Sequence, residues 1–133
     1  YSGCWLAKAL KENGGRLTTI EYYEKRIVLA KENFKKCEVD DVITIRQGSA
    51  IDVLSTLDET FDFVFIDANK REYIRYFELV SPHLKKGSII AADNVLSHAE
   101  KVETYVNAIK SDKNFQTELI PFPAGLLISY KKN

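Results

Sequence analysis

The sequence predicts an α/β protein built on a doubly wound, mostly parallel β-sheet. Short segments rich in β-branched residues alternate along the chain with segments of helical periodicity that are roughly 10–15 residues long. Polar residues follow directly after several of the apolar segments. This alternation indicates parallel strands joined by helices, and such sheets bind ligands beyond the carboxyl ends of their strands. Functional residues are therefore expected immediately after the predicted strands.

Length and composition limit the classes of protein to consider. The 133 residues are enough for one domain and too few for two. The 19 basic and 19 acidic residues give no net charge, which lowers the expectation of a dedicated nucleic-acid or membrane-surface binder. No apolar run reaches the roughly 18–20 residues that a membrane span requires. Cys4 and Cys37 lack metal-ligand spacing, so we expect reduced thiols in a cytoplasmic protein.

The first half of the chain contains two predicted strands and their helices. Arg16–Ile20 is short and β-branched, and Glu21 closes it. The next segment places apolar residues at steps of four, three, four and three, which predicts one face of a helix: Tyr23, Ile27, Ala30, Phe34 and Cys37. Val42–Arg46 predicts the second strand, which ends before Gly48, and Ile51–Leu57 predicts the next helix.

The second half continues the alternation and closes it with two consecutive strands. Phe61–Ile66 is almost entirely apolar, which predicts a strand buried on both faces. A helix ended by Gly87 is predicted from the apolar positions Tyr73, Phe77, Val80 and Leu84. Ser88–Ala92 predicts the fourth strand, and the helix after it has the apolar positions Val102, Val106 and Ile109. Phe115–Ile120 and Leu126–Tyr130 predict the closing strands.

The start of the chain does not follow the usual order of such a sheet. A doubly wound sheet normally begins with a strand that leads into a glycine-rich turn. This sequence opens with Tyr1–Trp5 and a helical stretch, Leu6–Lys11. We therefore expect the chain to be N-terminally incomplete, without the first strand.

Two predicted strand ends in the first half have the chemistry of a nucleotide site. Glu21 could accept hydrogen bonds from two ribose hydroxyls, although a solvated carboxylate at a strand end is an equally simple interpretation. Gly48, Ser49 and Ala50 follow the second strand and would let a flat base lie close to the backbone. Taken alone, Ser49 is better interpreted as a helix N-cap.

The strand ends of the second half carry an acidic cluster. Asp67 follows the most apolar predicted strand, and Asp93 and Asn94 follow the next one. If these strands are neighbours, about 4.8 Å apart, their ends bring together oxygen ligands of the kind that Mg²⁺ prefers. The structural alternative is that both aspartates are helix caps or salt-bridged turn residues. Lys70 falls at the same edge and is either a general base or a solvated surface lysine.

Five motifs then combine into a recognisable order: Tyr1-Ser2, RLTTIE (Arg16–Glu21), GSA (Gly48–Ala50), FVFIDANK (Phe63–Lys70) and ADNVL (Ala92–Leu96). Together they resemble the class I S-adenosylmethionine-dependent O-methyltransferases of the caffeoyl-CoA and catechol type. The resemblance implies a Rossmann-like sheet with an antiparallel last strand, whose first strand is absent from this chain. It also implies a single methyltransferase domain over residues 1–133.

The resemblance further implies a set of cofactor-binding residues: Ser2, Glu21, Gly48, Ser49, Ala50 and Asp67. Ser2 would touch the methionine part of S-adenosylmethionine, and Glu21 would bind the ribose hydroxyls. Ser49 and Ala50 would line the adenine pocket.

A second implied set concerns the chemical step. Asp67, Asp93 and Asn94 would hold a divalent cation, with Mg²⁺ the expected ion. Lys70 would accept the proton of the substrate hydroxyl, with Asp67 as its catalytic neighbour. The oxyanion would then attack the methyl group of the sulfonium in line, so catalysis would be mostly orientation and charge placement.

The sequence leaves several functions open. The first is metal-dependent methylation of a small, catechol-like phenol by a homodimeric enzyme. The same chemistry could instead act on a hydroxylated tRNA base, although zero net charge gives this no support. A nicotinamide-dependent oxidoreductase would use Glu21 but leaves the set of Asp67, Asp93 and Asn94 unexplained. A non-catalytic cofactor-binding module is the remaining alternative.

Overall fold

The computed structural model describes the backbone of residues 2–133 and the side chains of residues 3–133. Along that part of the chain, helices and strands alternate in the order α1 (Ser2–Glu12), β1 (Leu17–Glu21), α2 (Glu24–Lys36), β2 (Ile43–Gln47), α3 (Ala50–Leu54), β3 (Phe61–Ile66), α4 (Tyr73–Val80), β4 (Leu84–Asp93), α5 (Ala99–Ser111), β5 (Phe115–Ile120) and β6 (Leu126–Lys131). Short 3₁₀ turns precede and follow α4, at Lys70–Glu72 and Ser81–His83. The chain divides into two compact units, Tyr1–Thr56 and Leu57–Asn133.

The first unit is a parallel pair of strands with helices packed on it. β1 and β2 run in register from Leu17 opposite Ile43 to Glu21 opposite Gln47. Its core centres on Ala7, Phe34 and Val39, which α1, α2 and the segment after α2 contribute. The register places the last residues of both strands at one edge of the pair.

The second unit contains a mixed sheet in the order β3-β4-β6-β5. β3 and β4 are parallel, whereas β6 runs antiparallel to both of its neighbours. Aromatic rings form much of its core in edge-to-face contacts, which link α4, α5 and β5: Tyr73 with Tyr105, Tyr105 with Phe77, and Phe77 with Phe115. These observations confirm the predicted α/β class and the antiparallel last strand. The expectation of a single domain stays a prediction.

β3 is less buried than its sequence predicts. Ile66 is buried, but Phe63 retains 44% of its exposed surface and Asp62 is exposed as well. Among the described strands only β4 pairs with β3, so β3 lies at the edge of its sheet. The prediction of a strand buried on both faces is therefore wrong in this structure, and β4 holds the most buried strand segment, Ser88–Ala92.

The helix predicted to run to Gly87 is shorter than expected. α4 ends at Val80, and the 3₁₀ turn that follows contains Pro82, which has no amide hydrogen to continue the helix. Leu84 and Gly87 belong to β4, so the prediction is wrong at these two positions. Leu84 is buried nonetheless, because it pairs with Phe61 at the start of the ladder between β3 and β4.

The remaining predicted elements all form, with bounds that differ by a few residues. The closing strands β5 and β6 and the helix α5 lie where the sequence predicts them. α3 is shorter than predicted, at Ala50–Leu54. Among the described residues, no helix is long and apolar enough to cross a membrane.

Candidate active site

The ends of β3 and β4 bring the predicted acidic residues together. The two strands are parallel, and their last ladder pair is Ile66 opposite Ala92. Asp67 and Asp93 each come one residue later, so both carboxylates emerge from the same edge of the sheet at matching positions. The condition on which the sequence argument depends, that these two strands are neighbours, is met.

Tyr73 ties these two strand ends together beyond the ladder. Its side chain is fully buried, and its hydroxyl donates to the carbonyl oxygen of Asp93 at 2.9 Å, with the carbonyl of Ile66 at 3.3 Å as a second acceptor. Burial raises the pKa of Tyr73 and outweighs the opposing influence of Lys70, so the hydroxyl keeps its proton.

Lys70 lies directly beside Asp67. Its ammonium nitrogen is 2.9 Å from Asp67 Oδ1 and donates a second bond to the carbonyl of Ala68 at 3.0 Å. It also lies 5.4 Å from the centre of the Tyr73 ring. Burial alone would lower the pKa of Lys70, but its hydrogen bonds to Asp67 and Tyr73 outweigh that effect and raise it. Lys70 is therefore held as an ammonium in this arrangement.

The backbone turns sharply after Asp93. Asp93 Oδ1 accepts a hydrogen bond from the amide of Asn94 at 2.8 Å, and Asn94 adopts a left-handed conformation with φ of 66°. Asparagine tolerates this conformation better than most residues do. The side-chain nitrogen of Asn94, Nδ2, donates to Ser97 Oγ at 3.2 Å, and Ser97 Oγ is 3.0 Å from His98 Nδ1. These contacts orient the Asn94 side chain and do not involve its oxygen, Oδ1.

A second loop supports the first. The amides of Val95, Leu96 and Ser97 donate to the carbonyls of Ala124 and Gly125. Gly125 has φ of 78°, and a Cβ atom there would lie 2.5 Å from the Leu96 side chain. The turn before β6 therefore approaches the loop after β4 so closely that only glycine fits.

The donor set at these strand ends fits a hard cation. Among the described residues, the contacts of the Asp67 and Asp93 carboxylates involve Oδ1, and the contact of the Asn94 side chain involves its nitrogen. One oxygen of each side chain is thus available for a ligand. Carboxylate and amide oxygens are the ligands that Mg²⁺ prefers. Within the described part of the chain, no group of three or more His, Cys, Asp or Glu residues is placed to hold a metal. The predicted set has two such residues and an asparagine, and cation binding stays a prediction.

The first unit carries the residues predicted to bind the cofactor. Glu21 ends β1, and its Oε1 accepts from the amide of Tyr23 at 3.2 Å and lies 3.9 Å from Arg26 Nη1. Its side chain is 29% exposed. Among the described residues, both partners of Glu21, the Tyr23 amide and Arg26, contact Oε1. The second carboxylate oxygen is thus available for hydroxyl donors.

The loop after β2 reaches back to the end of β1. The Gly48 amide donates to the Glu21 carbonyl at 3.1 Å, and Gly48 has φ of 146°, which favours glycine. Ser49 is the N-cap of α3, because its Oγ accepts from the amide of Asp52 at 3.1 Å. Ala50 is the first residue of that helix. The cap interpretation of Ser49 is thus confirmed, whereas the adenine-binding role of this loop stays a prediction.

Ser2, the remaining predicted cofactor residue, lies outside the residues whose side chains the structure describes.

A family model described as O-methyltransferase matches residues 1–124. The chain belongs to the O-methyltransferase family. The family assignment agrees with the resemblance carried by the strand-end motifs. A nicotinamide-dependent oxidoreductase, which would account for Glu21 but not for Asp67, Asp93 and Asn94, is therefore no longer supported.

Curated relatives agree with this assignment. A catechol O-methyltransferase of Niastella koreensis is 41% identical over 100 residues, which cover 72% of this chain and 45% of that protein. A catechol O-methyltransferase of Mycobacterium tuberculosis is 35% identical over 97 residues, which cover 72% of this chain and 44% of that protein. The chain thus spans less than half the length of these two O-methyltransferases.

Solved structures of O-methyltransferases share the fold. A Bacillus cereus O-methyltransferase in complex with SAH has a TM-score of 0.89 at 27% identity, and the match covers 99% of this chain and 69% of that one. TomG of Streptomyces achromogenes, in complex with SAM, has a TM-score of 0.87 at 26% identity and coverage of 100% and 69%. These matches confirm the class I methyltransferase fold of this chain.

Two features of this site are not predicted from the sequence. The sequence predicts Tyr73 only as an apolar position of a helix, whereas in the structure it is fully buried and its hydroxyl is hydrogen-bonded. The pairing of the loop after β4 with the Ala124–Gly125 turn was not predicted either. The glycine before β6 was its only local signal, because the contact depends on how β6 aligns with β4.

Proposed function

We propose that this chain is the cofactor- and cation-binding part of a metal-dependent O-methyltransferase. It would transfer the methyl group of S-adenosylmethionine to a hydroxyl of a small, catechol-like phenol. The observation that carries the proposal is the placement of Asp67 and Asp93 one residue beyond the last ladder pair, with Lys70 2.9 Å from Asp67. A homodimer and a cytoplasmic location remain predictions.

The cofactor assignment rests on the first unit and on the relatives. Glu21 has one carboxylate oxygen available for ribose hydroxyls, and hydrogen bonds to a charged acceptor are stronger than neutral ones. The backbone after β2 is held close to Glu21 by the Gly48 amide. The two O-methyltransferase structures compared above are complexes with SAH and with SAM.

The acceptor assignment rests on the second unit. Asp67, Asp93 and Asn94 would hold the cation. When bound there, a divalent cation lowers the pKa of a hydroxyl and fixes the position of two neighbouring oxygens. A pair of vicinal hydroxyls is what such a site would select. The curated relatives named above act, by their names, on catechols.

Before it can accept a proton, Lys70 has to lose its ion pair with Asp67. Its ammonium is bound to Asp67 and Tyr73, which raises its pKa and disfavours a neutral amine. Lys70 becomes a competent proton acceptor only when Asp67 turns its charge towards another ligand, because the attraction between ammonium and carboxylate is then reduced. Before that, Lys70 orients Asp67 and excludes water from that face of the carboxylate.

Removal of the Asp93 carboxylate tests this proposal. With the intact protein, S-adenosylmethionine, Mg²⁺ and catechol, Asp93→Ala should lower kcat/KM for methyl transfer at least about a hundredfold, as measured by mass spectrometry of the product. Asp62→Ala is the matched control, because Asp62 lies on β3 and its carboxylate pairs with Lys85 at the surface. Equal turnover of the two variants would contradict the cation role of Asp93.

One observation favours a second candidate, a cofactor-binding module without turnover. The ion pair of Lys70 and Asp67 uses the predicted base and a predicted cation ligand on each other. A protein that binds S-adenosylmethionine but methylates neither catechol nor other vicinal diols in the presence of Mg²⁺ would fit this candidate. The hydroxylated tRNA base remains a prediction that no structural observation favours.

A further inference from the structure

We propose that Tyr73 is a positioning residue that sets the spacing of the cation ligands and seats Lys70. This inference rests on the proposed function, because it concerns the same strand ends. The ladder between β3 and β4 stops at Ile66 and Ala92, one residue short of Asp67 and Asp93. The residues that would hold the cation therefore lie where the regular backbone bonds between the strands have ended.

The Tyr73 hydroxyl links the two strands at the point where the next backbone hydrogen bonds of the ladder would form. It bridges the carbonyl of Ile66, which precedes Asp67, and the carbonyl of Asp93 itself. Both contacts are to backbone atoms, so they hold the chain that carries each carboxylate and not only one rotamer. The hydroxyl is fully buried and cannot exchange these partners for water without opening the sheet end.

The same ring supports Lys70. The Lys70 side chain is only 16% exposed and crosses the ring face with its ammonium 5.4 Å from the centroid. A single side chain thus fixes the strand ends that carry Asp67 and Asp93 and the position of the amine next to them.

Tyr73→Phe removes the hydroxyl and keeps the ring. The matched control is Tyr76→Phe, since Tyr76 lies on the same helix, is 5% exposed and bonds Glu72 instead of the strand ends. Calorimetric titration with MnCl₂ and with S-adenosylmethionine, on the intact proteins, measures the two affinities without turnover. We expect Tyr73→Phe to weaken Mn²⁺ binding roughly tenfold and to leave the cofactor affinity unchanged, as an orienting contact around a metal does. Tyr76→Phe should change neither affinity.

Three results would overturn the positioning role of Tyr73, and the last of them would overturn the proposed cation site as well. Wild-type Mn²⁺ affinity in Tyr73→Phe would overturn the positioning role and leave the proposed function intact. An equal loss of both affinities in Tyr73→Phe would also overturn it, since that pattern reports general unfolding. No Mn²⁺ binding by the wild-type protein would overturn the cation site itself, and this inference with it.

Discussion

Asp67 and Lys70 meet at the end of β3 in an ion pair of 2.9 Å that is three residues apart in sequence. The pairing depends on the 3₁₀ turn that starts at Lys70, which Asn69 caps by accepting from the amide of Arg71. The sequence predicts which residues share this edge, because parallel strands end together. It does not predict that Lys70 would turn back onto Asp67, since that contact requires the conformation of a short turn.

Glu21 offers the sharpest residue-scale prediction for the cofactor. Glu21→Gln keeps an oxygen that can accept from the Tyr23 amide but removes the charge and one acceptor position. We expect the affinity for S-adenosylmethionine, measured by calorimetry, to fall about tenfold. Glu24→Gln is the control, because Glu24 is exposed at the start of α2 and no contact with the cofactor is proposed for it. Equal affinities for both variants would contradict the ribose role of Glu21.

The strands and helices form where the sequence predicts them, and the errors have local causes. The apolar period of α4 continues through Leu84, but Pro82 stops the helix and Leu84 enters β4. The apolar composition of β3 indicates burial on both faces, yet Phe63 on this edge strand is exposed. The sequence pattern shows which residues are apolar, whereas the elements packed over a strand decide whether its faces are covered.

The contact between the loop after β4 and the turn before β6 leads to a prediction about stability. Gly125→Ala places a methyl group 2.5 Å from the Leu96 side chain at a left-handed position, so we expect a loss of about 3 kcal/mol in the free energy of unfolding by urea. Gly87→Ala has the same kind of backbone strain, with φ of 93° and no atom within 4 Å, and should lose only about 1–2 kcal/mol. Equal losses would show that strain, and not the close approach, makes glycine necessary at position 125.

Over the whole chain, the proposed functions are divided between the two compact units. Glu21 and the Gly48–Ala50 loop belong to the first unit, whereas Asp67, Asp93 and Asn94 belong to the second. The class of fold and most of the strand-end residues could be predicted from the sequence because both follow from the order of strands and helices. The division into two separate sheets could not, because local patterns do not specify which strands pair.

This division predicts a separable effect of metal removal. Treatment of the intact protein with EDTA should abolish methyl transfer to catechol, and addition of Mg²⁺ should restore it. The affinity for S-adenosylmethionine should change by less than about twofold, because EDTA removes the cation and leaves every predicted cofactor residue, Asp67 included, in place. Turnover that persists in EDTA would contradict a metal-dependent mechanism.

Binding of S-adenosylmethionine is the property on which the proposed function depends, and calorimetric titration of the intact protein measures it. We expect one binding site for S-adenosylmethionine and no binding of NAD under the same conditions. Binding of NAD without S-adenosylmethionine, or binding of neither molecule, would contradict it.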